Sequence, residues 1–450
     1  MKKTFTSILI CLFLGMSCFC ATSEIQERVI QDELVFYYSE ELCGYTVYGL
    51  NKDAEEIIIP SSVNGISVVD IGQKAFSMYT NLKKVIIQEG VLAIEQEAFF
   101  GCSNLSSVIL PNSLLFIGYG VFMLCENLCN ITIPYGVKYI QKAAFVWSGL
   151  KEVIIPDTVI SLGDGVFAGC NELETAKMPN SIDDVPSRTF LDCSNLTNVI
   201  IPSSTWYIGE YAFSGCYKLK ELFIPKSVVA ISDSAFNKCF SIENIDIEDG
   251  NVTYYAENNC LIEKWTNGKK VLIFAWAPSS EKIKNKNFYS GYDSCPVSVT
   301  IPDGVSEIGD FAFYSFSDLI SVSIPESVTK IGEESFSNCS SLTNMTIPSG
   351  VKDIGTKAFY FCGSLENITI PDGVSEIKDN TFEWCSELIS VVIPGSVVSF
   401  GKESFRCCRE LQYIVYESTI EDWNKINKDT DWDIETGNYV VVCTDGIVRK

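Results

Sequence analysis

The feature that most constrains this chain is a repeat of 23 residues that runs through most of its 450 residues. Thirteen units share the pattern I-P-x-x-V-x-x-I-G-x-x-A-F-x-x-C-x-x-L-x-x-V-x. A phenylalanine marks every unit at the same place, first from Phe76 to Phe236 and then from Phe313 to Phe405. Such a period predicts a solenoid, because one short unit cannot bury its own apolar face and must stack on its neighbours.

One unit predicts one coil of the solenoid. The segment L-x-x-V-x-I-P, as at 196–202, alternates apolar and polar residues and predicts a short strand that ends at the proline. A second extended piece follows, as at 305–308, and then a turn that contains glycine in most units. The segment A-F-x-x-C-x-x-L has helical spacing and predicts a turn or two of helix. The fold class is therefore an α/β leucine-rich-repeat solenoid of 23-residue units with a parallel strand face.

The repeat is interrupted once, between Pro225 and Pro302. The pattern stops after Ile247, and an alternating stretch follows that contains Asn267-Gly268, a dipeptide typical of hairpin turns. We expect a hairpin insertion, either a spacer or a specificity loop. The predicted organisation is a signal peptide at 1–20, an N-terminal cap at 21–59, repeats at 60–247, the insertion at 248–301, repeats at 302–416 and a C-terminal cap at 417–450.

The N-terminus has the pattern of a bacterial export signal. Lys2 and Lys3 precede an apolar stretch that starts at Ile8, and small residues follow. Cleavage after Cys20 would release an exported protein, whereas lipidation at Cys18 is a second interpretation, because the preceding residues resemble a loose lipobox. Neither this stretch nor a later one is long enough for a membrane span. The predicted location is secreted or at the cell surface, with a lipid anchor as the alternative.

The composition excludes several kinds of chemistry. The chain has no histidine, which rules out Ser/His/Asp and Cys/His catalysis and every zinc site that uses imidazole. A net charge of −24, with no long basic run, argues against nucleic acid as a partner. We therefore expect no enzyme, cofactor or metal site. Paired carboxylates among the 57 acidic residues leave one route to a hydrolase.

Ten of the nineteen cysteines lie three residues after the repeat phenylalanine. The same column accepts Tyr79, Ser148 and Phe316, so we interpret it as a packing position for a small buried side chain. Disulfides between neighbouring coils are the alternative, because stacked strands bring such positions within reach. The connectivity of the cysteines in the caps and the insertion stays open; these are Cys43, Cys260, Cys295 and Cys443.

The unit as a whole, with its I-P, I-G-x-x-A-F and following cysteine, resembles the BspA-like leucine-rich-repeat surface proteins. Residues 45–49 and 59–68 are similar to the N-terminal hairpin and lengthened first repeat of that family. Residues 421–423 and 442–446 resemble its closing cap. The resemblance implies a surface or secreted adhesin that contacts host matrix, host cells or other microbes, and it also implies the hairpin insertion.

The middle residue of V-x-I should point outward from the strand face. This position is mostly apolar before the insertion and rich in hydroxyl groups after it. Contiguous exposed apolar surface usually marks an interaction site, although β-branched residues also suit any sheet surface. We predict a face that binds a protein or glycan partner at a cell surface or matrix. It is formed by Ile86, Ile109, Ile154, Lys177, Ile200 and Phe223.

Three classes of function remain open. An adhesion or recognition protein explains the export signal, the repeats, the missing histidine and the outward apolar column. A structural scaffold of the cell envelope explains all of these features except the apolar column. A secreted carboxylate-dependent hydrolase on a parallel β-helix is third, since 23 residues also suit one β-helical coil; the predicted helix argues against it.

Overall fold

The computed structural model describes residues 28–276 and 297–450. They form two compact units, divided between Leu219 and Lys220. In both units most coils contribute a strand at V-x-I, a shorter strand at the position before the glycine of I-G, and a turn at A-F. We call these the V-x-I strand, the I-G strand and the A-F turn. Equivalent strands of neighbouring coils pair in parallel. The predicted leucine-rich-repeat solenoid is confirmed.

In the first unit the V-x-I strands form two sheets of three. Their apolar first and third positions are buried in most strands, as at Val153 and Ile155. The middle position faces solvent, because side chains alternate between the two sides of a strand. The strands of the first sheet are Glu56–Ile59, Lys84–Ile87 and Ser107–Ile109. Those of the second sheet are Glu152–Ile154, Thr175–Lys177 and Asn198–Ile200.

The sheet of I-G strands in the first unit begins at an N-terminal cap. Arg28–Gln31, Leu34–Ser39 and Gly44–Gly49 form an antiparallel meander, and its third strand pairs in parallel with Ile66–Ile71. Ser62–Val63 completes a small hairpin with that last strand. The I-G strands that follow are Ala93–Ile94, Phe116–Ile117, Tyr139–Ile140, Ser161–Leu162, Asp184–Val185 and Tyr207–Ile208.

The A-F segments are turns, so the predicted helix is wrong. Glu97 and Gly101, which flank Phe99, have φ values of 57° and 69°. Left-handed residues at this spacing break a right-handed helix, which needs a φ near −63° throughout. The N–H of Phe99 instead donates to the Val121 carbonyl of the next coil at 3.0 Å. The turns therefore hold the coils together by a third line of hydrogen bonds between neighbouring coils.

The core of each unit contains a stack of the repeat phenylalanines. The rings of Phe76 and Phe99 lie 5.2 Å apart and almost parallel, and those of Phe359 and Phe382 lie 5.4 Å apart. Beside this stack, the Cys102 thiol donates to the Phe76 carbonyl of the preceding coil at 3.1 Å. The thiols of Cys125, Cys170, Cys193, Cys216, Cys339, Cys362, Cys385 and Cys408 repeat this bond.

The ladder cysteines are all free and buried. Burial raises the pKa of Cys102 and of Cys362 to about 12, so these thiols stay protonated. Ser148 occupies the same column and places its hydroxyl 3.3 Å from the Cys170 sulfur. The packing interpretation of the column is confirmed. Cys260 and Cys443 are also free and buried, whereas Cys18 and Cys295 lie outside the described residues.

The second unit repeats the same two kinds of strand. Its V-x-I strands are Glu221–Ile224, Asn244–Ile247, Val297–Thr300, Leu319–Ser323, Asn367–Thr369, Ser390–Ile393, Tyr413–Tyr416 and Val440–Cys443. Its I-G strands are Ala230–Ile231, Glu307–Ile308, Lys330–Ile331, Asp353–Ile354, Glu376–Ile377, Ser399–Phe400 and Asn427–Lys428.

The predicted hairpin insertion is confirmed in the second unit. Tyr254–Glu257, Cys260–Lys264 and Lys270–Ala275 pair antiparallel in that order. The turn between the last two strands contains Gly268, whose φ of 86° suits glycine. Lys270–Ala275 is largely buried and pairs in parallel with Glu307–Ile308, so the insertion supplies an I-G strand of its own.

The C-terminal cap closes the second unit with aromatic side chains. The α-helix Ile420–Lys425 starts at Thr419, whose hydroxyl accepts from the Asp422 N–H, and it buries Trp423. Gly446–Arg449 then pairs antiparallel with the last V-x-I strand. No helix within residues 28–276 and 297–450 is long and apolar enough to cross a membrane.

Candidate partner-binding face

The candidate site in the first unit is the exposed side of its V-x-I strands. Ile109, Ile154 and Ile200 have 51%, 57% and 53% of their surface exposed. Lys177 is exposed and Ile86 is half-buried. The structure therefore places these predicted side chains on the solvent side of their strands, each at the expected middle position.

Strand register aligns these side chains from coil to coil. Ile86 lies opposite Ile109 in the first sheet, and Lys177 lies between Ile154 and Ile200 in the second. Opposed residues of neighbouring strands stand within about 5 Å of each other, so each sheet presents one row of side chains. The second row is apolar at its two ends and positively charged in the middle.

The coil between the two sheets carries an aromatic residue that the sequence analysis missed. Residues 130–133 form no strand, and Thr132 is exposed at the middle position. Tyr135, just after Pro134, is 77% exposed. Equivalent positions in the adjacent coils hold the polar residues Asn112 and Asp157, so an aromatic residue here was a detectable departure from the repeat. Exposed tyrosine is common among residues that contribute most to protein–protein contacts.

Polar groups border the apolar row. Lys84 forms a 2.8 Å ion pair with Glu56 beside the first sheet. The Glu89 carboxylate accepts the backbone N–H groups of Asn112 and Ser113 at 2.9 and 3.0 Å, and these bonds lower its pKa. The border carboxylate therefore stays charged near neutral pH and is held in position. An apolar centre with a polar rim is the usual composition of a recognition surface.

Phe223, the last predicted site residue, belongs to the second unit. It is 46% exposed on Glu221–Ile224 and lies opposite Asp246 of the next strand. Later strands of this unit expose Thr300, Ser323 and Thr369 instead. These three strands have the hydroxyl groups that the sequence predicts, whereas Phe223 and, later in the unit, Val392 are apolar at the same position.

The described residues offer little for catalysis. No group of three or more histidine, cysteine, aspartate or glutamate side chains within them could hold a metal ion. Burial, followed by the charges of Asp310 and Glu263, raises the pKa of Asp233 to about 6, a value that would suit acid–base chemistry. The described A-F segments are turns. The helix predicted there, which would have spoken against a β-helical hydrolase, is therefore absent from the described residues.

Comparison with known proteins identifies the repeat. The family profile described as "BspA type Leucine rich repeat region (6 copies)" matches residues 40–174, 138–263, 264–319 and 306–427. No curated protein matches the sequence. A solved leucine-rich cell surface protein of Faecalibacterium prausnitzii is 29% identical, covers 91% of this chain and 100% of its own, and has a TM-score of 0.67.

Two further solved structures have the same fold. A leucine-rich-repeat protein of Bacteroides ovatus is 25% identical over 92% of this chain and 99% of its own, with a TM-score of 0.56. The pneumococcal vaccine antigen PcpA is 17% identical over 94% and 99%, with a TM-score of 0.55, which supports the fold alone. Since the family profile matches well over half of the sequence, this chain belongs to the BspA-type leucine-rich-repeat family.

Proposed function

We propose that this protein is an exported or surface-associated recognition protein that binds a protein or glycan partner, in adhesion or contact with host or neighbouring cells. The proposed contact surface is the exposed V-x-I row of the first unit, at Ile86, Ile109, Ile154, Lys177 and Ile200. Phe223 of the second unit is proposed as a contact residue in its own right. The observation that carries this proposal is the exposure of more than half of Ile109, Ile154 and Ile200.

The exposed isoleucines need an explanation that the fold does not supply. The buried positions on either side of Ile154 and Ile200 already provide the apolar packing of each coil. At the same backbone position the second unit uses threonine and serine, so an isoleucine is not required for the strand. Exposed apolar side chains in register suggest a surface that a partner covers.

Location at the cell surface is supported by a relative. The F. prausnitzii protein, with which this chain shares nearly its whole length, is called a cell surface protein. The alternative is a structural scaffold of the envelope. A scaffold would give no role to the exposed V-x-I row of the first unit, which we call the isoleucine row below. We infer no enzymatic activity, because the family consists of repeat proteins and the chain lacks histidine. Whether export ends in lipidation at Cys18 is a separate question.

The test is capture of partners by the purified full chain from surface extracts of host cells and of neighbouring bacteria. Replacement of Ile154, Ile200 and Phe223 by Ser should reduce capture at least tenfold, because apolar contact area is lost. The matched control replaces Thr346 and Thr369 by Ser, two exposed residues at the middle position of V-x-I in the second unit, and should leave capture unchanged. Equal capture by the triple variant and the parent chain would exclude this face, and no specific capture at all would favour the scaffold.

A further inference from the structure

The first V-x-I strand has a free edge. Glu56–Ile59 is the outermost strand of its three-stranded sheet and pairs, among the described residues, with Lys84–Ile87 alone. The carbonyls of Glu55 and Ile59 accept the N–H groups of Lys84 and Gln88 at 3.1 and 3.0 Å. Because successive residues of a strand direct their main-chain groups to alternate edges, the N–H and C=O of Ile58 point to the open side.

A groove of about 350 Å³ lies at this open edge. One wall is the strand itself, through Glu56, Ile57 and Ile58. The other wall comes from the N-terminal meander, and buried apolar residues such as Leu34 and Phe36 line it. An edge of four residues is about 13 Å long, enough for an added segment of similar length. The groove therefore combines unpaired main-chain groups with an apolar lining.

The charged residues that line the groove are all acidic. Asp32, Glu33 and Glu56 are the ionisable side chains among them. Amide groups alone bond the first two carboxylates: Gln31 donates to Asp32 at 3.1 Å, and Asn51 donates to Glu33 at 2.8 Å. Glu56 forms an ion pair with Lys84 on the next strand, with 2.8 Å between the carboxylate oxygen and the ammonium nitrogen. Two of the three negative charges are therefore not paired with a cation among the described residues.

The edge and the charge together define the ligand. Unpaired N–H and C=O groups along a strand are complementary to the main chain of another extended polypeptide. A sugar or a small anion does not present donors and acceptors at that repeat, and the carboxylates repel anions. We propose that this groove binds an extended, positively charged peptide segment of a partner, which adds to Glu56–Ile59 as a further strand. This edge belongs to the same sheet as Ile86 and Ile109, since Ile58 lies opposite Ile86. The proposed contact uses the main chain of the edge and does not require Ile109, Ile154 or Ile200.

Binding of labelled peptides of about ten residues to the full chain tests whether the main chain of Glu56–Ile59 pairs with a peptide. A peptide that alternates Lys and Val should bind, with an affinity that falls as salt rises, whereas one that alternates Glu and Val should not. N-methylation of alternate residues blocks the donors on one edge of the peptide. One of the two methylated registers should lose at least tenfold in affinity, and the other should stay within about threefold. Unchanged binding of both registers would overturn the proposal.

The protein part uses Ile58→Pro, which removes the N–H on the free edge and keeps the bonds that Glu55 and Ile59 make to the next strand. We expect at least a tenfold loss of Lys/Val peptide binding, whereas Ile58→Val, the matched control, should bind within twofold of the parent. The double variant with Asp32→Asn and Glu33→Gln should bind severalfold more weakly, with a smaller salt dependence.

Several outcomes would contradict the assignment. These are no detectable binding of the Lys/Val peptide, equal binding of the Glu/Val peptide, and full binding by a folded Ile58→Pro chain. A concentration-dependent dimer that the peptide does not dissociate would assign the edge to a second copy instead. If Ile58→Pro fails to fold, the methylated peptides and the charge variants still decide. Replacement of Ile154 and Ile200 by Ser should leave peptide binding unchanged, which separates this site from the isoleucine row.

Discussion

The two units have the same kind of interior but differ on the exposed side of their V-x-I strands. Both stack phenylalanine rings about 5.5 Å apart, as at Phe99–Phe122 and Phe336–Phe359, and both place a free thiol beside the stack. On the exposed side, the first unit presents mostly isoleucine, whereas three strands of the second unit present threonine or serine, at Thr300, Ser323 and Thr369. The backbone accepts either type, so the fold of a coil does not require isoleucine at this position.

The largest expected effect tests whether the interiors are equivalent. Phe122→Ala in the first unit and Phe359→Ala in the second should each destabilise their unit by about 3–5 kcal/mol, because each removes a buried ring from the middle of a stack. Hydrogen exchange along a urea series reports on the two units separately. A difference of more than about 2 kcal/mol between the two variants would mean that the interiors are not equivalent.

A medium effect distinguishes the units by pH. The pKa of Asp233 is raised to about 6 by burial, then by the charges of Asp310 and Glu263, with Lys330 opposing. The folded second unit therefore holds a proton that the unfolded chain releases near pH 4. Its stability should fall by about 1–2 kcal/mol between about pH 4 and pH 6 and then level off. Asp233→Asn should flatten this part of the profile, and an unchanged slope would contradict the assignment.

The smallest effect concerns the exposed rows. Replacing Ile154 and Ile200 by Thr, or Thr346 and Thr369 by Ile, should change the free energy of unfolding by no more than about 0.5 kcal/mol per residue. Partner binding should nevertheless be lost in the first variant if the exposed row is the contact surface that we propose. Thermal and urea unfolding measure the former, and capture assays the latter. A loss of several kcal/mol in either variant would show that the rows contribute to the fold.

Much of the fold could be predicted because the period fixes which residues stack. Each repeat has an apolar residue at the positions equivalent to Val153 and Ile155. Because side chains alternate along a strand, these two positions predict the buried side and therefore the exposed position of Ile154. The A-F segment could not be predicted in this way. Its apolar spacing fits a helix, but left-handed residues at Glu97 and Gly101 turn the chain so that its N–H groups reach the next coil.

The candidate sites were only partly predictable for a related reason. The isoleucine row lies at one repeat position and is visible in the sequence, and Tyr135 could have been found as an aromatic departure from its column. The groove beside Ile58 could not be found, because Asp32 and Leu34 reach it from the N-terminal meander. That arrangement depends on how the N-terminal meander packs against the first V-x-I strand. The meander is not part of the repeat, so the repeat period cannot predict its position.

The bond between thiol and carbonyl has a consequence for how such genes change length. Cys102 bonds Phe76, and Cys125 bonds Phe99, each one coil back along the chain. Removal or duplication of a whole 23-residue unit would therefore join coils that already carry matching donors, acceptors and rings. Unequal recombination between repeats of the gene can then shorten or lengthen the exposed row without a new contact having to evolve, so the reach of the surface can vary while the interior stays constant.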